Sequence, residues 1–352
     1  MKILYTGGGT GGSVTPLIAI HQEFLKSKDS YECLWIGTKH GPEKHMVIKE
    51  RIPFKSIFSG KLRRYFSLHH LIDPFKIIFG FFQSFFILLM WRPNFILSAG
   101  GFVSVSVIWA GFILRIPILI HQQDVRPGLA NKLTAPLAQL VTVTFEKSLK
   151  DYGEKAIWTG NPMRNLKAKA SLADFQFSDT LPVVLIMGGG TGSLAINNLV
   201  RDSRNDLVGL CNTIHITGKE KFETEQIKYV SYYQKEFLGS EELAKAYLIA
   251  DIVISRSGMG ALTELSNLEK PTILIPMPHS HQEDNARVFK EARAAIVLDQ
   301  NKLDAKKFVN EIKKLLNNID LRKKLSANIS SVIKKNASSS ITKLIKEKVA
   351  AK

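Results

Sequence analysis

Cysteine is nearly absent from this chain: its 352 residues hold two, Cys33 and Cys211. They lie in different halves and neither has metal-site spacing, so a disulfide scaffold and a zinc module are both excluded. Acidic side chains are also scarce, 31 against 48 lysines and arginines, which leaves a formal charge of +17. Such an imbalance points to an anionic partner: nucleic acid, anionic lipid or a phosphorylated ligand. Nucleic acid has no supporting motif here, neither zinc spacing nor an aromatic–basic RNA signature. No apolar run reaches the ~20 residues that span a bilayer. The longest, Phe75 to Trp91, carries Lys76 and Gln83. Met1-Lys2-Ile3 leads straight into a strand-like run with no signal-peptide pattern, so the expected setting is reducing and cytoplasmic, with free buried thiols.

What is present is a phrase used twice. Gly7-Gly8-Gly9-Thr10-Gly11-Gly12 follows the apolar run Ile3 to Tyr5, and Gly188-Gly189-Gly190-Thr191-Gly192-Ser193 follows Val183 to Met187. Each reads as strand, glycine turn, then helix. That arrangement aims backbone N–H groups and a helix N-terminus at open space, which suits phosphate or another anion. Two such turns predict two similar domains facing one cleft.

Strand-like runs alternate with helix-like segments along the whole chain. The expected strands are 2–6, 31–36, 95–98, 118–121, 141–144, 183–187, 213–217, 252–255 and 272–275. The alternation predicts an α/β fold of two Rossmann-like domains with parallel sheets. Gly160-Asn161-Pro162 is the natural break. The expected domains are 1–160 and 161–325, with a basic C-terminal helix over 326–352 that could pack on either. Segment 75–91 is apolar nearly all round and is preceded by Lys61, Arg63, Arg64 and His69. It reads as a sheet-covering helix or as one that also lies on a bilayer surface, its basic flank meeting anionic headgroups.

The first turn formally matches G-x-G-x-x-G, yet no acid ends the second strand (Ile36-Gly37-Thr38-Lys39) and no lysine follows the last glycine. Dinucleotide and P-loop readings therefore fail. What remains is another kind of anion site, or tight packing without a ligand. Further candidates lie at strand C-terminal ends, where open α/β sheets bind ligands. Ser98 to Ser104 forms one such turn. His121-Gln122-Gln123-Asp124 brings an imidazole, two amides and a carboxylate to the next, with Asp124 or His121 able to act as a general base on a sugar hydroxyl. Arg164 could clamp a diphosphate as a fork of donors. Gly258 and Gly260 allow close approach at a helix start, and Glu264, one turn in, could accept two hydrogen bonds from a ribose diol. Gln282 and Asn285 are spaced to meet sugar hydroxyls. The run from His279 to Asp284 does not match zinc spacing, so no metal is expected.

In this order, these motifs resemble the bacterial peptidoglycan N-acetylglucosaminyltransferase family over most of the chain. Carrying the resemblance are Gly8 to Gly12, the 98–104 turn, Pro127 to Asn131, Thr159 to Arg164, the 255–264 loop and Gln282 to Ala286. It implies the two-domain GT-B fold. It implies inverting transfer of N-acetylglucosamine from UDP-N-acetylglucosamine to lipid-linked muramoyl-pentapeptide (lipid I), giving lipid II, at the cytoplasmic face of the plasma membrane and with no cofactor. It puts Glu264 on the ribose, Leu238, Met259, Gly260, Ala261, Leu262 and Thr263 around uracil and ribose, Gln282 on the sugar, and Arg164 with the turn at Gly190 on the diphosphate. Thr10, Gly11, Gly12 and Ser13 would line the acceptor side, facing its diphosphate, and the Phe75–Trp91 helix would meet the membrane. Three positions depart from the family pattern. Ser13 stands where the family has histidine, Asp124 where it has asparagine, and Gly190 where it has serine. Either the base has moved to Asp124, or the site is impaired or serves a different lipid acceptor. A UDP-sugar epimerase would share the fold but leave the Phe-rich helix without evident use.

Overall fold

The structure is a computed structural model and describes residues 1–27, 30–60, 69–164, 166, 168–178, 180–221 and 230–350, with side chains in the third helix described from residue 73. Lys61, Arg63, Arg64 and the His69 side chain lie outside the described residues. The chain divides into two compact units, Met1–Arg164 with Lys334–Lys352, and Asn165–Ile333.

The first unit is built on a seven-stranded sheet of parallel pairs: β1 (Lys2–Thr6), β2 (Glu32–Thr38), β3 (Phe54–Ile57), β4 (Phe95–Ser98), β5 (Ile118–Gln122), β6 (Leu140–Val143) and β7 (Ala156–Trp158). The spatial order is β3-β2-β1-β4-β5-β6-β7. Its helices are α1 (Thr15–Leu25), α2 (Pro42–Lys49), α3 (His69–Trp91), α4 (Phe102–Ile113) and α5 (Leu129–Thr134). Central strands are apolar on both faces because helices cover both. On one side Ile96, Ile118, Val103, Val107 and Leu88 pack together. On the other, Ile3, Tyr5, Leu17 and Phe95 do so with Ile341 and Ile345.

The second unit repeats the plan with β8 (Val183–Met187), β9 (Asn212–Ile216), β10 (Tyr232–Lys235), β11 (Ile252–Ser255), β12 (Thr272–Leu274) and β13 (Ile296–Val297), ordered β10-β9-β8-β11-β12-β13. Around it lie α6 (Leu194–Leu207), α7 (Ser240–Ile249), α8 (Met259–Asn267), α9 (His281–Glu291), α10 (Ala305–Asn317) and α11 (Ile319–Val332). The chain then returns to the first unit. The Lys334 carbonyl lies so close to Gly160 that a Cβ there would collide with it, and α12 (Ala337–Ala350) lays Ile341 and Ile345 into the first core.

In each sheet the chain reverses direction beside its first strand, between β1 and β4 and between β8 and β11. Both glycine turns follow the strands at these switch points, where parallel sheets open a crevice.

Candidate functional site

The first glycine turn is tightly packed at its Gly7 to Gly9 end. Gly9 has a φ of +85° and Gly101 of +91°; a Cβ at Gly9 would collide with the Phe102 ring, and one at Gly101 with the Gly8 carbonyl. The turn after β1 is thus pressed against the turn after β4. Its amides are not all turned outward. The Gly9 N–H donates to Glu43 Oε2 at 3.1 Å. Glu43, at the start of α2, is fully buried, and its Oε1 accepts from the Thr38 N–H at 2.8 Å and the Thr38 hydroxyl at 2.5 Å. The Gly9 end of the turn expected to hold an anion is already engaged by a side-chain carboxyl of the same unit. Ser13 is buried too, its hydroxyl donating over 3.4 and 3.3 Å to the Gly8 and Thr10 carbonyls. Of the acceptor-side candidates, Thr10 and Gly12 are exposed and Gly11 is half-buried.

The rim after β5 differs from expectation. His121 is fully buried. Its Nε2 meets Asn161 Oδ1 at 2.7 Å and its Nδ1 meets Thr142 Oγ1 at 3.0 Å. Burial pushes the imidazole down to about 4, so it is neutral, donating from Nε2 and accepting at Nδ1. With both nitrogens engaged and no path to solvent, His121 does not fit a general base; it ties β5 to β6 and to the Gly160 linker. Gln122 is likewise internal. Its amide donates to the Asp124 carbonyl at 2.7 Å and the Arg126 carbonyl at 3.1 Å, while its oxygen accepts from Asn131 and the Tyr152 hydroxyl. It holds the 123–128 loop in shape rather than binding a sugar. Asp124, on that loop, is half-buried and is the remaining candidate base. Arg164, the last residue of the unit before the crossing, is half-buried.

The second glycine turn has the opposite surroundings. Ser193 caps α6, its hydroxyl accepting from the Ile196 N–H at 3.4 Å. Behind it lies the Arg256 guanidinium, buried at the end of β11. Nη2 donates to Ser193 Oγ at 2.7 Å and Gln300 Oε1 at 2.6 Å; Nη1 donates to the carbonyls of Ile275 and Pro276. Burial pulls its pKa below the usual guanidinium value, though an arginine still stays charged. Lys221 approaches from the far side, its ammonium donating to the Thr191 carbonyl at 2.8 Å and the Gly192 carbonyl at 3.2 Å. Gly190 stands in open space, with nothing near where a Cβ would be.

One strand over, α8 begins at Gly258 and carries Glu264. That carboxylate is held: the buried Tyr247 hydroxyl donates to its Oε2 at 2.9 Å. Met259, Leu262 and Thr263 are buried in the unit, and the Thr263 hydroxyl bonds back to the Met259 carbonyl. At the start of the same helix Gly260 is exposed and Ala261 half-buried. Leu238 is also buried. Asn285 is fully buried, its amide donating to the Ser257 carbonyl at 3.2 Å; it clamps the α8 and α9 starts together and is not presented to a sugar. Gln282 is half-buried, its Oε1 accepting from the Met277 N–H at 3.1 Å.

Four residues of this picture escaped sequence reasoning. Glu43 lies five residues past the strand end where an acid was sought; Pro42 before it, a favoured first helical residue, was the available signal. Tyr247 and Lys221 carry none, because only folding brings them to Glu264 and Thr191. Arg256 stood inside a recognised loop without a role.

Helix α3 is two-faced. Leu88, Gly80 and Ser84 are buried against α4, and the Ser106 hydroxyl on α4 donates to the Ile77 carbonyl. The other face exposes Phe75, Ile78, Phe79 (64%), Phe82, Phe86, Leu89 and Met90 (82%), and α4 adds Trp109, Phe112 and Ile113. Residues Asp73–Trp91 are long and apolar enough to cross a membrane by length and composition, yet part of the helix is core. Cys211 is buried, its thiol pushed up to about 11, and Cys33 is half-buried; both are free.

Comparison with known proteins gives a consistent result. Residues 3–143 match the glycosyltransferase family 28 N-terminal domain and residues 183–345 the family's C-terminal domain. Among curated proteins, the UDP-N-acetylglucosamine–N-acetylmuramyl-(pentapeptide) pyrophosphoryl-undecaprenol N-acetylglucosamine transferase of Clostridium kluyveri is 40% identical, covering 89% of this chain and 91% of its own length. The protein of the same name from Clostridium botulinum is 38% identical over 98% of this chain and 99% of its own. Among solved structures, MurG of Acinetobacter baumannii superposes with a TM-score of 0.77, at 22% identity, over 98% of this chain and 99% of that one.

Proposed function

The chain belongs to glycosyltransferase family 28, and from that premise we propose how it works as a UDP-N-acetylglucosamine-dependent transferase. It moves N-acetylglucosamine onto undecaprenyl-diphospho-muramoylpentapeptide, lipid I, to form lipid II. The fold is of the GT-B class. One observation carries the residue assignments: a cation-backed glycine turn follows β8, and a held carboxylate lies in the helix that follows the adjacent strand β11. Neighbouring strands lie ~4.8 Å apart, so an anion seat and a diol acceptor share one rim, as a nucleoside diphosphate sugar requires.

In this reading the diphosphate sits over Gly188 to Ser193, with the α6 N-terminus and the Arg256 charge favouring the leaving group as its negative charge grows. Arg164 adds a second clamp. Glu264 accepts from the ribose hydroxyls, and Leu238 with the α8 start lines the uracil. The Gln282 amide meets the sugar. Asp124 takes the proton from the acceptor hydroxyl, whose oxygen bonds to the anomeric carbon as the bond to the diphosphate breaks and its electron pair leaves with UDP. A single displacement of this kind inverts the anomeric centre. The test is incubation with UDP-N-acetylglucosamine and a lipid I analogue. UDP release with a disaccharide product is expected; donor binding with neither would remove the enzyme claim.

The exposed face of α3 and α4 supports a peripheral seat on the cytoplasmic membrane surface, where aromatic rings enter the headgroup layer. Flotation with vesicles should rise with anionic lipid and fall with salt. Phe82→Glu with Phe86→Glu should weaken it several-fold, and unchanged flotation would leave the face without this role.

A further inference from the structure

We propose that Lys221 is a positioning residue of the donor site: its ammonium draws two carbonyls of the second glycine turn out of the anion seat and so aims the N–H groups beside them at the diphosphate. The proposal rests on the reading above, in which that turn receives the donor's diphosphate.

The turn does not orient itself. Glycine lets a peptide plane turn over at little steric cost, and four of the six residues from Gly188 to Ser193 are glycine. Gly189 and Gly192 both have positive φ, +79° and +70°. A reversed plane would present a partly negative carbonyl oxygen where a phosphate oxygen has to sit. Lys221 acts at this point, its Nζ donating to the Thr191 carbonyl at 2.8 Å and the Gly192 carbonyl at 3.2 Å. In a planar trans peptide the C=O and N–H point in opposite directions. Holding the Thr191 carbonyl therefore turns the Gly192 N–H inward, where it donates to the Gly189 carbonyl at 3.0 Å and closes the turn. Holding the Gly192 carbonyl turns the Ser193 N–H away from Lys221, and among the described residues no acceptor takes it. The N–H groups of Leu194 and Ala195 follow in the first turn of α6, where a helix leaves its donors without intrahelical partners. That of Ile196 is taken by Ser193 Oγ.

Lys221 is itself placed by the fold. It ends the turn after β9, whose Gly218 (φ +90°) lies so close to Gly192 that a Cβ on either would collide with the other's Cα. The Lys221 N–H donates to the Gly218 carbonyl at 3.3 Å. Asn197 on α6 ties the two turns together. Its amide donates to the carbonyls of Thr217 and Lys221 at 3.1 and 3.4 Å, and its Oδ1 accepts from His215 Nε2 at 3.1 Å. The other ring nitrogen accepts from the Tyr232 hydroxyl at 2.7 Å. The lysine thus reaches the two carbonyls from a braced base. Arg256 bonds to the turn at the Ser193 hydroxyl and to neither carbonyl, so it supplies charge behind the seat while Lys221 supplies direction.

The test is calorimetric titration of the full-length protein with UDP and, separately, with uridine, each at low and at high potassium chloride. Lys221→Met should weaken UDP binding about tenfold, the worth of a charge-assisted hydrogen bond, and leave uridine, which has no phosphates, within about twofold. The ratio of variant to wild type should persist at high salt, because bonded peptide planes are not screened as a remote charge is. Lys221→Arg keeps donors for two carbonyls and should bring UDP affinity back to within about threefold of the wild type. Unchanged UDP affinity in Lys221→Met would overturn the proposal. So would an equal loss for uridine, which marks a general disturbance, or a loss that vanishes at high salt, which marks a remote charge. A thermal melt checks folding. Should Lys221→Met fail to fold, Lys221→Gln keeps one donor group and should lose UDP affinity about threefold with uridine unmoved, and no loss there would overturn the proposal equally. If the wild type bound UDP but made no product with the lipid I analogue, the transferase reading would fall, while the comparison of UDP with uridine would still decide the role of Lys221.

Discussion

The turn after β1 and the turn after β8 begin with the same five residues, Gly-Gly-Gly-Thr-Gly, and both stand at a sheet's switch point. What lies behind them differs. The Glu43 side-chain carboxyl engages the Gly9 end of the first, and Arg256 with Lys221 brings a guanidinium and an ammonium to the second. A glycine turn supplies backbone N–H groups wherever it occurs. The group behind those amides decides how strongly they hold an anion, because in a poorly screened interior one fixed charge outweighs a single neutral hydrogen bond. The net charge of +17 is therefore a poor guide to either turn.

The sharpest way to break this contrast is to remove the cation from the second turn. Arg256→Met should lower kcat/KM for UDP-N-acetylglucosamine by 10²-fold or more, a loss of about 3 kcal/mol, comparable to deleting a donor from an anion hole. Arg256→Lys should recover little, because one ammonium cannot span Ser193, Gln300 and two carbonyls. Calorimetric titration with UDP, alongside a thermal melt to confirm folding, checks this. Near-normal affinity for UDP in a folded variant would end the charge argument.

Acid should affect the two halves alike. Each buries a neutral histidine with both nitrogens bonded: His121 to Thr142 and Asn161, His215 to Tyr232 and Asn197. Burial holds the first at about 4, and burial with the Arg204 charge holds the second at about 3. Both folded values lie below the unfolded ~6.5. As pH falls from there the unfolded chain binds protons that the folded one refuses, so stability that is fully present above 6.5 is lost progressively down to about 4 and 3. The shifts correspond to up to about 3 and 5 kcal/mol. Scanning calorimetry from pH 7 to pH 4.5 should show the melting temperature falling, with a shallower slope in a His121→Gln, His215→Gln variant. An equal slope in that variant would remove the histidines as the cause.

How much of this was legible beforehand follows from burial. The strand-like runs that were recognised correspond to the interior strands of both sheets, whose apolar runs betray them. All four strands that were missed, β3, β7, β10 and β13, are sheet edges. They are short and half-exposed, with polar residues such as Lys55, Ser56 and Gln234 among them, so no continuous apolar run marks them. At the site, the loops were found because glycine and strand ends are visible in a sequence. Roles within the loops were not. His121 and Asn285 look like ligands as letters and turn out to be buried braces, because the hydrogen bonds that occupy them come from residues 21 to 40 positions away. Glu43 and Tyr247 were overlooked for the converse reason: each acts on a turn or a carboxylate supplied by another element.

Tyr247 offers a finer test of how the donor half is set. Its hydroxyl donates to one oxygen of the buried Glu264 carboxylate and orients it. Tyr247→Phe keeps the buried ring and removes that bond. A hydrogen bond to a charged group contributes roughly 1.5 kcal/mol, so the KM for UDP-N-acetylglucosamine should rise about tenfold while kcat is little changed. A matched fall in kcat with KM constant would place Glu264 in the chemical step instead of on the nucleoside.

The smallest expected effect is a gain. The family resemblance puts serine where this chain has Gly190, and nothing in the local backbone demands the glycine. Gly190 is absent from the left-handed residues, unlike its neighbours Gly189 (φ +79°) and Gly192 (φ +70°), and a Cβ there would meet no atom within 4 Å. Gly190→Ser should therefore fold as the wild type does. Its hydroxyl would project from a turn already backed by Arg256 and Lys221, where one further bond to a phosphate oxygen is worth about 1 kcal/mol. UDP affinity should rise about fivefold. The matching change in the first turn separates the two environments: Gly12 is exposed with its nearest outside atom, Thr10 Oγ1, at 3.6 Å, so Gly12→Ser is also accommodated. In a turn that no arginine or lysine side chain is recorded as backing among the described residues, that hydroxyl should bring no gain in pyrophosphate binding. Equal gains at both positions would mean that the hydroxyl, and not the charge behind the turn, governs anion binding.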